Sequence, residues 1–456
     1  MKREEGVGLK EIRMEEDSFG SMALPVDALY GINTYRAIEN LSFSDKILQG
    51  YPEYISALVV VKKAAAKANM EAMVLSEKIG NAIISACDEL LAGGYHQHFL
   101  IDMLHGGGGI ATNMNINEVI SNLTNKKLGS AIGDYSPVHP IDHVNASQST
   151  SDVCHTASRI ALIKSFKPLQ NEIEAVIGSL AEKIADFGEI TTISRTCLQD
   201  AMRVKLGETF SGYEAMLKRR LDSVNEAVEK LHQINLGGTV IGSGIGAPKE
   251  YRDVVVQKLC EASNLRLYHR ENLFDAAQNI DDIANVSTQL RLLASGLIKL
   301  AKDLRLLSSG PEAGFSEIVL PSVQAGSSFF PGKVNPVIPE TLIQCCFQII
   351  GIDQTVQAAL EHGELNLNVF EGAAVTNSFD AMNMLEKALR TFRKNCLNGI
   401  KANLERCEEL SNSYIPLVVE LKEILGYSVT SSMIKEKGKE GIKKYFNGGV
   451  EIDKNK

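Results

Sequence analysis

The chain has 456 residues, of which 44% are hydrophobic, and a mean hydropathy of −0.04, values typical of a soluble globular protein of two or three domains. A net charge of −9 without a basic stripe disfavours binding to nucleic acid or to an anionic membrane. No apolar run approaches the roughly 20 residues of a membrane span, and residues 1–5 are not followed by the apolar core of a signal peptide. We therefore expect a cytoplasmic protein.

The N-terminal third is punctuated by turn residues and contains one clear helical stretch. Pro25, Gly31 and Gly50 interrupt it early, and a helical pattern runs from about Ile55 to Leu91. The four consecutive glycines at 106–109 then predict a close approach of the backbone to another group, with a flexible hinge as the alternative. We assign residues 1–144 to an N-terminal, mostly helical domain.

Proline is absent from three long segments in the middle of the chain, at 169–247, 249–310 and 340–415. Since proline breaks helix interiors, these segments predict long helices. Apolar residues recur there with the spacing of one helix face, as at Ile283, Val286, Leu290, Leu293, Leu297, Leu300 and Leu304. Long helices are stable in water mainly through burial of such faces, so we expect an all-α fold with a central helical bundle at 145–397. Residues 398–456 predict a small C-terminal helical domain.

The segment 326–336 reads GSSFFPGKVNP, in which turn residues alternate with polar side chains. Glycines let backbone N–H groups approach a ligand, Lys333 supplies positive charge, and a serine hydroxyl can exchange a proton. A phosphate-binding P-loop is excluded, because the glycine spacing is wrong and Val334 follows the lysine. Taken alone, the segment is also compatible with a solvated surface turn.

Six polar clusters in order resemble the aspartase/fumarase superfamily, and its aspartase branch most closely. They lie at 24–40, 113–119, 142–152, 195–200, 235–246 and 326–336. The resemblance implies three largely helical domains, with the central domains of four subunits joined into one helical core. It also implies a homotetramer whose active sites draw on three subunits, and a reaction that uses neither a metal nor an organic cofactor.

Members of this family remove a proton from one carbon and expel a leaving group from its neighbour, without help from a metal. By resemblance, Ser327 is the base, and Gly326 with Ser328 surrounds the developing anion. The remaining residues that the resemblance implies at the substrate are Thr196, Lys333 and Asn335 at the α-carboxylate, Ser149 and Thr150 at the group that acidifies the C–H bond, and Asn145.

Three positions depart from the aspartase pattern at the predicted leaving-group pocket. Ile110 stands where a threonine is expected, Ser151 replaces an asparagine, and Cys197 replaces His or Gln. A primary ammonium carries three N–H donors, and each buried donor without an acceptor costs about 1–3 kcal/mol. A quaternary trimethylammonium has no N–H and favours apolar or aromatic surroundings.

These departures favour a carbon–nitrogen lyase of the ergothionase type, which expels trimethylamine from ergothioneine, the betaine of 2-thiohistidine, to give thiolurocanate. The alternative is an aspartate ammonia-lyase, which converts L-aspartate to fumarate and ammonia. A fumarase fits less well because position 197 lacks histidine. A non-catalytic structural homologue fits poorly with Ser327, Lys333 and Asn335 all present.

Overall fold

The computed structural model describes residues 11–447. The predictions about residues 1–5, and the outer ends of the two predicted terminal domains, lie outside this range. Fourteen α-helices and eight short strands occupy the described part, and the strands form only two-stranded pairs. This arrangement confirms the predicted all-α class. Among these helices, none has the length and apolarity needed to cross a membrane.

The helices follow one another with few long interruptions. Their bounds are α1 Ile32–Leu41, α2 Pro52–Glu71, α3 Glu77–Leu91, α4 Ile110–Lys127, α5 Thr150–Asp186, α6 Leu206–Glu229, α7 Lys249–Ser263, α8 Leu273–Gln278, α9 Asp281–Leu307, α10 Val337–Glu361, α11 Glu371–Asn395, α12 Leu404–Ser411, α13 Tyr414–Leu425 and α14 Tyr427–Asn447. The strands are β1 Ile12–Asp17, β2 Gly20–Pro25, β3 Thr191–Thr196, β4 Gln199–Lys205, β5 Gln233–Ile234, β6 Tyr268–His269, β7 Ile318–Val319 and β8 Lys401–Ala402.

The described chain divides into two compact units, each built from three segments. Unit 1 contains residues up to 169 together with 223–291 and 348–383, and unit 2 contains 170–222, 292–347 and the residues from 384 onward. Five long helices, α5, α6, α9, α10 and α11, each contribute residues to both units. The boundaries predicted at 144/145 and 397/398 follow chain order and stay predictions.

In unit 1, the helical stretch predicted from about Ile55 to Leu91 consists of two helices, α2 and α3. The chain leaves α2 after Glu71 and turns at Met73, whose φ is 56°. Ser76 then caps α3, with its hydroxyl accepting from the Ile79 N–H at 3.4 Å, because the first N–H groups of a helix lack intrahelical partners. The two helices pack against each other, and α2 also packs against α7.

The long central helices bury the face that the sequence predicts. All seven apolar residues of the period in α9, from Ile283 to Leu304, are fully buried. The first proline-free segment is not helical throughout, however, because the β3–β4 hairpin separates α5 from α6. Pro168 lies inside α5, which shows that a proline did not mark a helix boundary there.

The C-terminal helices of unit 2 form a small core of their own. Leu417, Leu421 and Ile442 are buried between α13 and α14, and α13 also contacts β4. The Arg203 guanidinium joins the hairpin to this cluster, donating to the Ser411 carbonyl at 2.9 Å and pairing with the Glu420 carboxylate.

Candidate active site

The backbone of the glycine run at 106–109 adopts unusual φ values and lies close to neighbouring side chains. Gly107, Gly108 and Gly109 have φ values of 79°, 62° and 94°, a region that L side chains rarely adopt. A β-carbon on Gly109 would lie 2.9 Å from the Sγ atom of Cys154, and one on Gly108 would contact Val369 at 3.7 Å. The prediction of close backbone approach is therefore confirmed, and the hinge alternative is not needed.

A cavity of about 250 Å³ lies behind this glycine run in unit 1. The start of α5 forms one wall and the segment leading into α11 forms another. Apolar side chains make up much of the lining. Its residues include Gly106–Gly109, Tyr54, Met103, Ser151, Cys154, His155, Leu367, Val369, Phe370 and Glu371.

A buried polar network closes one end of the cavity. His155 Nδ1 lies 2.5 Å from a carboxylate oxygen of Glu371, whose other oxygen accepts from Arg159 at 3.0 Å. Arg159 is fully buried and binds both oxygens of Asp282, at 2.7 and 2.8 Å. The guanidinium thus bridges two carboxylates and fixes α5 against α9 and α11 within this unit.

The charge states in this network follow from burial and from Arg159. Burial opposes ionisation of Glu371, but the positive charge of Arg159 and the hydrogen bond from His155 outweigh it and hold the pKa of this carboxyl below its ordinary value. Burial, reinforced by the positive charge of Arg159, lowers the pKa of His155, despite the neighbouring carboxylate. At neutral pH the pair is therefore a carboxylate and a neutral imidazole, with Nδ1–H donating to Glu371.

A second polar cluster in unit 1 surrounds Asn145. Its Oδ1 atom accepts from Lys62 Nζ at 2.8 Å and from Asn113 Nδ2 at 3.1 Å. Asn113 also donates to the Thr150 hydroxyl at 3.1 Å. Lys62 is fully buried, and burial lowers its pKa to about 7. The structure thus brings Asn145 and Thr150 together and adds a buried lysine to them.

Asp152 holds the backbone beside this cluster. One oxygen accepts from the Ser149 N–H at 2.8 Å, and the other accepts from the N–H groups of Gly237 and Thr239, both at 3.0 Å. Burial raises the pKa of Asp152 to about 6, although these hydrogen bonds favour the carboxylate. Ser149 is positioned through its main chain, and the glycine-containing segment at 237–239 is fixed by the same side chain.

The loop at 326–336 in unit 2 is internally organised. The Gly326 N–H donates to the Lys333 carbonyl at 2.8 Å, and Asn335 Nδ2 donates to the Gly326 carbonyl at 2.7 Å. A β-carbon on Gly326 would lie 2.5 Å from the Lys333 carbonyl oxygen, so this closure requires glycine. These contacts give the loop a defined shape and bring Gly326, Lys333 and Asn335 together, while Phe329 and Phe330 stay exposed at 80% and 56%.

Ser327 has a specific environment within that loop. Its Oγ atom accepts from the backbone N–H groups of Phe329 at 3.0 Å and Phe330 at 2.9 Å. Two donors aimed at one oxygen stabilise negative charge on it, which is the requirement for a serine that acts as a base. Lys333 lies with Nζ 5.7 Å from the centre of the Phe330 ring, a cation–π distance.

Thr196 and Cys197 lie at the tip of the β3–β4 hairpin, also in unit 2. The two-residue turn consists of Cys197 and Leu198, with φ values of 52° and 60°. Glycine or asparagine is usual in such turns, so two other residues here indicate local strain. Both Thr196 and the free thiol of Cys197 are exposed.

The predicted residues therefore fall into two groups. Unit 1 contains Asn145, Ser149, Thr150, Ser151 and Ile110; unit 2 contains Thr196, Cys197, Gly326, Ser327, Ser328, Lys333 and Asn335. Ser151 borders the cavity, whereas Ile110 is 47% exposed at the start of α4 and does not. The roles assigned to these residues stay predictions.

Sequence reasoning missed Lys62, His155 and Glu371. A signal for His155 existed, since it follows Ser151 by one helical turn of α5 and so shares its face. Residues 11–447 hold no group of three or more His, Cys, Asp or Glu side chains arranged to bind a metal ion.

Comparison with known proteins places these observations in a family. The lyase family profile matches residues 20–351. Aspartate ammonia-lyases are 41% identical in Helicobacter pylori (strain J99), over 93% of this chain and 91% of that protein, and 40% identical in Bacillus subtilis, over 94% and 90%. The crystal structure of fumarate lyase:delta crystallin from Brucella melitensis bound to cobalt superposes with a TM-score of 0.92, at 41% identity over 94% of both chains. The chain thus belongs to the aspartase/fumarase superfamily, in its aspartase branch, as a carbon–nitrogen lyase.

Proposed function

We propose that the protein is an ammonia-lyase that eliminates the amine of an α-amino acid, with L-aspartate as the first candidate substrate. The aspartate ammonia-lyases at 40 and 41% identity, which align over more than nine-tenths of this chain, support that substrate. The observation that carries the reaction type is Ser327, whose Oγ receives two backbone N–H groups inside a closed loop.

In the proposed mechanism, Ser327 acts as an alkoxide that removes the proton β to the amine. An alkoxide is strongly basic, and the N–H groups of Phe329 and Phe330 stabilise it before the reaction. Lys333 and Asn335 bind the α-carboxylate, together with Thr196. The electron pair of the broken C–H bond then forms the double bond and expels the amine from the neighbouring carbon.

The proposed active site is assembled from three subunits of a cytoplasmic homotetramer. The group from unit 1, around Asn145 and Thr150, would come from one subunit, and the hairpin and loop groups of unit 2 from others.

Trimethylamine elimination from ergothioneine is the second candidate, favoured by Ile110, Ser151 and Cys197. Its premise was that the amine end of the pocket had lost its polar partners. Glu371 and His155 border the same cavity as Ser151, so polar partners for an amine are present there and the premise is weakened. The cavity is nevertheless larger than a primary ammonium requires, so this candidate deserves a direct test.

The test is turnover by the purified protein with L-aspartate, with fumarate plus ammonia, with (S)-malate and with ergothioneine in separate reactions. Fumarate and thiolurocanate are followed by ultraviolet absorbance, and ammonia and trimethylamine by separate assays. Aspartate turnover at about 1–10³ s⁻¹, the ordinary range of enzymes, supports the proposal. Release of trimethylamine from ergothioneine, with aspartate inert, would replace the first candidate by the second, and inactivity with all four would refute both.

A further inference from the structure

We propose that the cavity between the Gly106–Gly109 run and the start of α11 is a cation subsite that receives the amine end of the substrate, with Glu371 as its counter-charge and His155 as its hydrogen-bond acceptor. This inference rests on the proposed function and names the part of the substrate that the cavity binds. Both side chains line the cavity, and His155 is 4% exposed.

The polar end of the cavity carries negative charge. Among the residues that line the cavity, Glu371 is ionised, while burial lowers the pKa of both histidines, His105 and His155, and keeps them neutral at pH 7. Behind Glu371, one buried guanidinium, Arg159, serves two carboxylates. The side of Glu371 that borders the cavity therefore favours a cation and disfavours a second carboxylate.

Arg270, a second arginine near Asp282, does not neutralise the negative charge of Glu371. Arg270 lies 3.8 Å from Asp282, but it also pairs with Asp275 at 3.2 Å and with Asp281 at 3.6 Å. Its charge is thus shared among three carboxylates, none of which is Glu371. The carboxylate at the cavity retains a single cationic partner, Arg159, whose other N–H groups bind Asp282 at 2.7 and 2.8 Å.

The polar end of the cavity also offers hydrogen-bond acceptors. Because Nδ1–H of His155 donates to the Glu371 carboxylate, Nε2 of the neutral ring carries a lone pair and can only accept. A ligand with an N–H group satisfies that acceptor, whereas a carboxylate does not. The hydroxyl of Ser151, one helical turn earlier on α5, borders the same cavity and can accept as well.

The size and the apolar walls of the cavity also suit a cationic nitrogen. The 250 Å³ volume is bordered by Tyr54 and Phe370 in addition to the polar end. Aromatic and apolar walls beside an anion suit an alkylated ammonium, while the acceptors suit a primary one. The shared ligand chemistry is a cationic nitrogen, and its two sources, ammonium and trimethylammonium, differ in whether they carry N–H donors.

The experiment measures cation binding to the full-length wild-type protein by calorimetry, using ammonium chloride and tetramethylammonium chloride against sodium chloride at equal ionic strength. Glu371→Gln keeps the shape and removes the charge, and His155→Phe keeps a flat ring and removes the acceptor. Glu172→Gln is the matched control for Glu371→Gln, because Glu172 is also a mostly buried carboxylate paired with an arginine, Arg393, at 2.6 Å, but lies in unit 2 and does not line the cavity.

We expect Glu371→Gln to weaken binding of both cations by at least about tenfold, the usual effect of losing a charged partner. His155→Phe should weaken ammonium about three- to tenfold and leave tetramethylammonium within twofold, since only ammonium has N–H groups. Glu172→Gln should change neither. Circular dichroism of the helices reports whether each variant is folded. If Glu371→Gln does not fold, the ammonium and tetramethylammonium affinities of His155→Phe test the subsite instead.

Two outcomes would overturn the inference: wild-type protein that binds neither cation more tightly than sodium, or folded Glu371→Gln that binds both as well as wild type. Binding is measured without turnover, so it separates this inference from the proposed function. If the protein turns over a substrate but binds neither cation selectively, the subsite inference is wrong and the proposed function stands. Selective cation binding with no turnover of any candidate removes the proposed function alone.

Discussion

Replacing Gly109 with alanine tests whether the glycine run is packed as tightly as the structure shows. The new β-carbon would lie 2.9 Å from Cys154 Sγ, and the backbone would have to hold a φ of 94°. Left-handed backbone costs a non-glycine residue about 1–2 kcal/mol, and overpacking adds about 1–3 kcal/mol. We expect Gly109→Ala to lower the free energy of unfolding by about 2–5 kcal/mol.

A matched control separates these two contributions. Gly20, the first residue of β2, has a φ of 111°, and a β-carbon there would meet nothing within 4 Å. Gly20→Ala should therefore cost only the backbone part, about 1–2 kcal/mol. In a double-mutant cycle, Cys154→Ala should recover about 1–3 kcal/mol of the loss at Gly109.

Denaturant unfolding at fixed protein concentration measures all five proteins: wild type, Gly20→Ala, Gly109→Ala, Cys154→Ala and the Gly109/Cys154 double variant. The reasoning is refuted if Gly109→Ala costs no more than Gly20→Ala. It is also refuted if the coupling energy between positions 109 and 154 is within about 0.5 kcal/mol of zero, as for independent sites.

Three further substitutions test the site. Ser327→Ala should lower kcat by at least about 10²-fold at nearly unchanged KM, and a loss below tenfold would exclude Ser327 as the base. Lys333→Met should raise KM about 10- to 100-fold through the lost charged hydrogen bond, and an unchanged KM would place the carboxylate elsewhere. For Lys62, burial lowers the pKa from 10.5 to about 7, so the unfolded chain binds the proton more tightly between these pH values. Wild-type stability should therefore fall relative to Lys62→Gln as pH drops from 9.5 to 7.5, by up to about 1.4 kcal/mol per pH unit, and parallel stability curves would contradict the shift.

The sequence predicted those parts of the fold that depend on local periodicity. The apolar spacing from Ile283 to Leu304 is sufficient to identify α9, because one helix face must be buried whatever its partner. Composition did not reveal the β3–β4 hairpin, since its turn uses Cys197 and Leu198 rather than glycine or asparagine. The break between α2 and α3 was missed for a similar reason, because Met73 adopts a positive φ without a typical turn sequence.

Site residues were likewise predicted where a local sequence pattern exists, and missed where only tertiary packing brings them together. Ser327, Lys333 and Asn335 lie within one short loop, so their turn chemistry and order were visible in the sequence. His155 and Glu371 are 216 residues apart, and only the packing of α5 against α11 brings them into contact. The partner of Lys62, Asn145, is 83 residues away, and the burial that lowers the lysine pKa has no local sequence signal.

The Arg159 network has a consequence for protein engineering. Glu371 is held by Arg159 through one oxygen and by His155 through the other, while Arg159 is itself fixed by Asp282. Position 155 can therefore be randomised while the carboxylate keeps its anchor, whereas changing Arg159 would release two buried charges at once. A library restricted to position 155 therefore changes the polar end of this cavity without removing the arginine that anchors its carboxylate.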